Sequence, residues 1–248
     1  MRGTGVRAGK GLSAVKASSL RFLEELVIRY PALQGCRSAL GAALEALADS
    51  FAAGGQLLVC GNGGSAADAL HITGELMKGF ILQRRMNERT AAALKASCPD
   101  GAYLAEHLQG ALPVHALAAE TALFTAYAND EQGDLVFAQQ VWGYGRRGDA
   151  LLAISTSGRS ANVLYAAQAA RFRGMVTVAL TGEDGGRLRG LCDVCIAVPG
   201  RESWRVQELH QPVYHALCLA LEEEFFGENP RFRDRPRVHA ATNQPGWH

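Results

Sequence analysis

The chain has 248 residues, with 25 Lys and Arg against 24 Asp and Glu, a formal net charge of +1 and 48% apolar residues. That length suits one large domain with a full core, and the balanced charge argues against nucleic acid or an anionic membrane and for a small-molecule partner. Six cysteines without paired zinc-ribbon spacing argue against a disulfide scaffold and suit a reducing cytoplasm.

Residues 1–18 are basic and glycine-containing but lack the continuous apolar core of a secretory signal, and read as a flexible leader. From Leu20 to Ala53 apolar residues recur every three to four positions, which predicts two helices divided near Pro31. QLLVC then reads as a strand, GNGGS as a loop and AADALHITGELMKGF as a helix. Residues 83–112 are irregular, with one or two helices broken by the turn CPDG. VHALAA returns to the sheet, TALFTAYAND runs as a short helix into a loop, and LVFAQQVWGYG forms another helix.

DALLAIS, MVTVALTG and CDVCIAVP are the third, fourth and fifth strands, with the loop TSGRS and the helix ANVLYAAQAARFRG after the third. The Cys192–Cys195 CxxC pair lies in an alternating strand pattern, so it reads as buried thiols and not as a redox centre. A last helix starts near Ser203; Pro212 predicts a kink or a helix start within it. Residues 227–248, rich in Pro and Arg, read as a tail. Strands alternating with helices predict an α/β fold, a mainly parallel five-stranded sheet covered on both faces. No segment approaches the roughly 18 uninterrupted apolar residues of a membrane span.

Two loops carry the chemistry. Asn62, Gly63, Gly64 and Ser65 follow the first strand, and Ser155, Thr156, Ser157 and Ser160 surround Gly158 after the third. Each loop opens a helix, whose free N–H groups and partial positive charge favour a phosphate, and glycine lets the anion approach the backbone. Neither loop is a Lys-containing nucleotide loop or a GxGxxG dinucleotide loop, which argues against ATP and NAD. The same Ser and Thr residues also suit helix caps and turns. His71 and Glu75, four residues apart, share one helical face, as an exposed pair or as acid/base or metal-binding groups. Gln207 and His215 are separated by roughly 80° around the last helix, while His210 is about 140° from His215.

GNGGSAADALH, the AND of Ala128–Asp130, GDALLAISTSGRSANV, ALTGEDGG and RVQELHQPVYH together resemble the sugar isomerase (SIS) domain family, in its phosphoheptose isomerase branch. The resemblance covers about Leu20 to Phe226, and the domain is taken as 19–226 with a helical insertion at 83–112. It implies a Rossmann-like SIS fold with N-terminal helices, a homotetramer with active sites where subunits meet, and the conversion of D-sedoheptulose 7-phosphate to D-glycero-D-manno-heptose 7-phosphate in heptose biosynthesis.

By the same resemblance, Asn62, Gly63, Gly64, Ser65, Asn129, Asp130, Ser155, Thr156, Ser157, Ser160 and Gln207 bind substrate. His71, Glu75, Gln207 and His215 hold one zinc ion per subunit, and Glu75 and His215 are the acid/base pair of an enediolate mechanism. Three departures stand out: the insertion of about 25 residues, Arg159 where relatives carry Asn, and Ser203 and Trp204 where they carry Thr and an acid. The last two leave open an isomerase of another sugar phosphate. A non-catalytic sugar-phosphate-binding protein of the same fold is the broader alternative, since fold alone does not decide activity.

Overall fold

A computed structural model describes residues 15–227. The chain opens with α1 (Ala17–Arg29), a 3₁₀ segment beginning at Pro31, and α2 (Arg37–Ala52). Proline suits that junction because its fixed φ starts a turn while its missing N–H ends the preceding helix. Strand β1 (Leu57–Cys60) leads into α3 (Gly64–Met77), followed by α4 (Glu88–Ser97) and α5 (Gly101–His107). Next come β2 (Val114–Ala116), α6 (Thr121–Asp130) and α7 (Val136–Tyr144). The remainder is β3 (Ala150–Ser155), α8 (Ala161–Arg173), β4 (Val176–Thr181), β5 (Val194–Ala197) and α9 (Ser203–Phe226).

All five strands are parallel, in the order β2-β1-β3-β4-β5. Side chains alternate across the sheet as its period of two requires. Leu57 and Val59 of β1, Leu152 and Ile154 of β3 and Leu180 of β4 join a core with α1, α2, α3 and α9. Leu58 and Cys60, Leu151 and Ala153, and Ala179 face α7 and α8. Burial on both faces explains why these strands read as near-continuous apolar runs.

The strand order places β1 between β2 and β3, so the chain leaves β1 in one direction for β2 and crosses back for β3. Parallel sheets of this order bind ligands in the crevice beyond the carboxyl ends of the strands at that reversal. Cys60 at the end of β1 pairs with Ala153 of β3, so the loops at 61–65 and 156–160 leave the sheet side by side at this point.

Two expectations are sharpened. Helix α9 runs unbroken from Ser203 to Phe226 with Pro212 inside it, so no helix starts at Pro212; tertiary packing of both flanking turns, with Val206, Val213 and Leu217 buried, outweighs the lost hydrogen bond. The AND segment is the last turn of α6 and not a loop. The insertion folds as α4 and α5, which pack on each other; α4 has no buried residue and α5 only Gly101. Of the leader, residues up to 14 lie outside the described residues; Val15 onward is described, and α1 begins at Ala17. The tail lies outside them from residue 228.

Candidate active site

The first loop is shaped by two contacts. Gly63, at φ 54°, takes the turn into α3, a conformation that glycine adopts without Cβ strain. The Asn62 and Asn162 side chains exchange two hydrogen bonds of 2.9 Å, tying this loop to the first turn of α8. Ser65 is buried, and its backbone N–H donates to the Asn62 carbonyl. A methyl group on Gly64 would lie 2.6 Å from Nε2 of Gln207. Gln207 of α9 therefore sits on the first loop.

In the second loop the Oγ atoms of Ser155 and Ser160 are 3.0 Å apart. Ser160 stands at the N-cap of α8 but its side chain makes no capping bond, so the bland explanation for this hydroxyl does not hold. Thr156 Oγ1 meets Ser203 Oγ at 3.1 Å, and Ser157 Oγ accepts from the Arg159 N–H. Gly158 has φ +62°, and a Cβ there would meet the Gly185 carbonyl oxygen at 2.1 Å. The loop after β4 is thus seated directly against this one. The Arg159 guanidinium is engaged by Asp184 at 2.6 Å, so the added positive charge is matched beside the loop. Trp204 is exposed, with the Arg205 guanidinium over its ring.

A second cluster lies further along α3 and α9. His71 Nε2 is 3.2 Å from Glu75 Oε1 and 3.5 Å from His215 Nε2. Glu75 Oε2 accepts from Lys78 Nζ at 3.1 Å. Burial and the neighbouring His71 hold the His215 imidazole below its usual range, with Glu75 opposing. His215 also borders a cavity of about 320 Å³ between α1 and α9, whose wall includes Glu25, Arg29, Glu208 and Pro212.

Two residues that sequence reasoning passed over back this cluster. His71 Nδ1 lies 3.0 Å from the Tyr214 hydroxyl, and Asp68 stands one turn before His71 on α3. Burial raises the ionisation range of both Asp68 and Tyr214, and the buried Asp68 Oδ2 has no hydrogen-bond partner among the described residues. Asp68 stands one turn before His71 and Tyr214 directly before His215, positions visible in sequence only once those histidines are chosen.

The C-terminal end of α3 is clamped from α9. Arg84 Nη1 and Nη2 donate to the carbonyls of Leu76 and Glu75, and its Nε donates to Glu222 at 2.8 Å. Glu222 also accepts the backbone N–H groups of Phe80, Ile81 and Leu82. These bonds satisfy both buried charges, the condition under which such burial is tolerated.

The structure therefore gathers His71, Glu75 and His215 in one cluster and the residues of the two loops, with Gln207, in another. Asn129 and Asp130 are exposed at the end of α6, joined by a side-chain bond of 2.9 Å. His210 is fully buried and belongs to neither group. All six cysteines are free, and burial lifts the Cys192 thiol to about 12, which keeps it protonated near neutral pH. Among the described residues no helix is long and apolar enough to cross a membrane.

As a metal site the cluster is incomplete but compatible. Among the described residues no three His, Cys, Asp or Glu side chains already surround one point as a cage; here the donors form a chain through His71. Their separations of 3.2 and 3.5 Å nevertheless bracket the edge of about 3.4 Å expected between donors bound tetrahedrally to zinc at 2.0–2.1 Å. Two imidazoles and a carboxylate are also the donor types zinc takes.

The model of the SIS domain matches residues 32–112 and 100–182. The phosphoheptose isomerase of a Nitratiruptor species is 42% identical over 68% of this chain and 78% of its own. That of Rhodospirillum rubrum is 40% identical over 77% of this chain and 88% of its own. Among solved structures, the phosphoheptose isomerase of Neisseria gonorrhoeae superposes with a TM-score of 0.60 at 33% identity, covering 84% of this chain and 94% of that one. The enzyme from Francisella tularensis gives 0.61 at 30% identity over 83% and 93%.

Proposed function

Since the chain belongs to the SIS domain family and, within it, to the phosphoheptose isomerases, we propose that it interconverts D-sedoheptulose 7-phosphate and D-glycero-D-manno-heptose 7-phosphate in heptose biosynthesis. The observation that carries this reading is the closure of Glu75, His71 and His215 on one another in a chain whose hydroxyl-rich loops open at the sheet's reversal. A purely sugar-binding protein needs the loops but has no use for an acid/base group.

Aldose–ketose isomerisation moves a proton between the two carbons flanking the C1–C2 bond and passes through an enediolate. Glu75, oriented by His71 and Lys78, is the base that takes the proton from carbon. His215, its ionisation range lowered by burial, exchanges the proton of the neighbouring oxygen. The hydroxyls of Ser155, Thr156, Ser157 and Ser160, with Asn62, Gly63, Gly64 and Ser65, hold the phosphate. Asn129 and Asp130 are assigned to the sugar hydroxyls by family resemblance alone.

The family resemblance implies that each site is shared between copies. Ser65 and Glu75 are separated by ten residues, about 15 Å of helix rise. In the substrate, five carbon–carbon bonds of about 1.5 Å separate C7 from the carbonyl carbon, and the phosphoester, its hydrogen bonds and the Glu75 side chain extend that reach. On that resemblance we assign the phosphate loops of one copy and the Glu75–His71–His215 cluster of another to a single site in a homo-oligomer, a tetramer by the same resemblance. Gln207 lies about 12 Å along α9 from His215.

The same assembly accommodates a metal. By the family resemblance, His71, Glu75, Gln207 and His215 are the residues that would hold zinc. When bound, the ion polarises the carbonyl and stabilises negative oxygen. The free thiols suit the reducing conditions of the cytoplasm, where we place the protein.

A second reading, isomerisation of a related sugar phosphate, is favoured by one observation: Ser203, a departure from the family pattern, bonds directly to Thr156 in the phosphate loop. The test is turnover of sedoheptulose 7-phosphate by the wild type, Glu75→Gln and His215→Gln, with zinc measured in each preparation. Turnover by the wild type and its loss in both variants is expected. Near-normal rates in both variants overturn the assignment of the pair, and wild-type turnover only of another sugar phosphate favours the second reading.

A further inference from the structure

Across the two phosphate loops, residues 61–65 and 155–160, Arg159 is the only charged residue. Its guanidinium turns to the loop after β4, where Nη2 donates to Asp184 Oδ2 at 2.6 Å; among the described residues this is its one side-chain hydrogen bond. Both side chains stay open to solvent, 55% and 61% exposed, and an ion pair so exposed contributes little stability.

The pair is not what joins the two loops. The N–H groups of Arg187 and Leu188 donate to the Gly158 carbonyl at 2.9 and 3.2 Å, and that of Gly182 donates to the Thr156 carbonyl at 2.9 Å. Asp184 is also held without Arg159, since its Oδ1 accepts the Gly186 N–H at 2.8 Å and its carbonyl accepts from Arg189 Nε at 2.9 Å. Arg159 can therefore leave Asp184 without dismantling the loops or stranding a buried carboxylate.

A phosphate monoester near neutral pH carries close to two negative charges. The hydroxyls of Ser155, Thr156, Ser157 and Ser160 and the N–H groups that open α8 are neutral donors, which leave that charge uncompensated. A guanidinium can give a phosphate two parallel charge-assisted hydrogen bonds, more than its single bond to an exposed carboxylate supplies. Arg159 stands between Ser157 and Ser160, and its backbone N–H donates to Ser157 Oγ at 3.2 Å, so its side chain starts from the phosphate loop itself.

We propose that Arg159 is a mobile counter-ion for the sugar phosphate: Asp184 holds it in the free protein, and on binding it exchanges that carboxylate for the phosphate. Arg159 is thereby a substrate-binding residue, and Asp184 a positioning residue that sets how hard the phosphate must compete for it. The proposal rests on the assignment of the hydroxyl-rich loop to the phosphate, but not on which sugar carries that phosphate.

The experiment is isothermal titration of the full-length protein with inorganic phosphate at pH about 8.5, where the dianion dominates. It compares the wild type, Arg159→Met, Asp184→Asn and the double variant, with thermal unfolding to show that each is folded. Arg159→Met should weaken binding about 10-fold. Asp184→Asn keeps an acceptor for the Gly186 N–H but releases the guanidinium, and should tighten binding about 2- to 5-fold. The double variant should match Arg159→Met, because Asp184 then has nothing to withhold.

A fixed strap across the loops would make both single variants weaken binding alike, and that result overturns the exchange, as does unchanged binding in Arg159→Met. A gain from Asp184→Asn that persists without the guanidinium also overturns it, since the gain would then come from the loss of a nearby charge alone. A wild type that binds no phosphate overturns the loop assignment and the exchange together. The expected signs in a protein that leaves sedoheptulose 7-phosphate unconverted would reject that substrate and support the exchange.

Discussion

Arg84 and Glu222 form an ion pair at 2.8 Å with both side chains wholly shielded from solvent, and the pair joins the helix of Glu75 to the helix of His215. Arg84 holds the last carbonyls of α3, while Glu222 holds the backbone of the chain leaving it. The relative placement of two reacting residues therefore rests on a contact outside the site. Arg84→Met is expected to destabilise the fold by about 3–5 kcal/mol, because it strands a buried carboxylate. Chemical denaturation of the variant beside the wild type measures this.

Two glycines in the site should respond differently to alanine. At Gly64 the new methyl meets only the end of the Gln207 side chain, which can swing aside. Gly64→Ala should keep wild-type stability within about 1 kcal/mol but reduce kcat/KM by about 10- to 100-fold as Gln207 is displaced. At Gly158 both φ and the backbone of Gly185 oppose a side chain. Gly158→Ala should cost at least about 1–3 kcal/mol and weaken inorganic phosphate binding, as thermal unfolding and isothermal titration would report.

Acid should weaken the fold through His210. Burial, partly offset by the backbone at Thr181, brings this imidazole down to about 4 from 6.5. Between those values the unfolded chain binds the proton and the folded chain does not, so stability falls as pH drops. The contribution is complete above pH 6.5 and is lost as pH falls through about 4, an amount of about 3 kcal/mol. The lowered range of His215 acts in the same direction. In His210→Leu, denaturation midpoints at pH 7.5, 6 and 5 should fall less steeply than in the wild type; equal slopes would show that His210 is not responsible.

A shared site predicts complementation. Glu75→Gln has intact loops, and a Ser155→Ala/Ser157→Ala variant has an intact cluster. Each alone should be inactive, while co-refolded mixtures should regain activity in about one site in four, the fraction combining the sound part of each copy. Mixtures as inactive as their components would place loops and cluster of one chain in one site.

Much of this molecule was legible in the order of its residues. Five apolar runs of strand length, each bounded by turn or helix signals, announced the parallel sheet, and the glycines and hydroxyls after the first and third runs marked the loops. The i,i+4 spacing of His71 and Glu75 placed them on one face, and they meet at 3.2 Å. Such inferences succeed because they concern neighbours along one helix or strand, where the period of the backbone sets the geometry.

What required the tertiary structure lies between elements. His71 and His215 are 144 residues apart in the chain and meet only because α3 and α9 pack together. Gln207 and His215, roughly 80° apart around α9, are also about 12 Å apart along it, and Gln207 rests on Gly64. Arg159, a bare charge in the sequence, is taken up by Asp184 from the next loop. Periodicity specifies which face a residue occupies; the distance between two faces depends on how the helices cross and on the buried side chains that hold them there. That is why the sequence alone determined the sheet, its loops and the chemistry available, while the packing of α3 against α9 decided which residues act together.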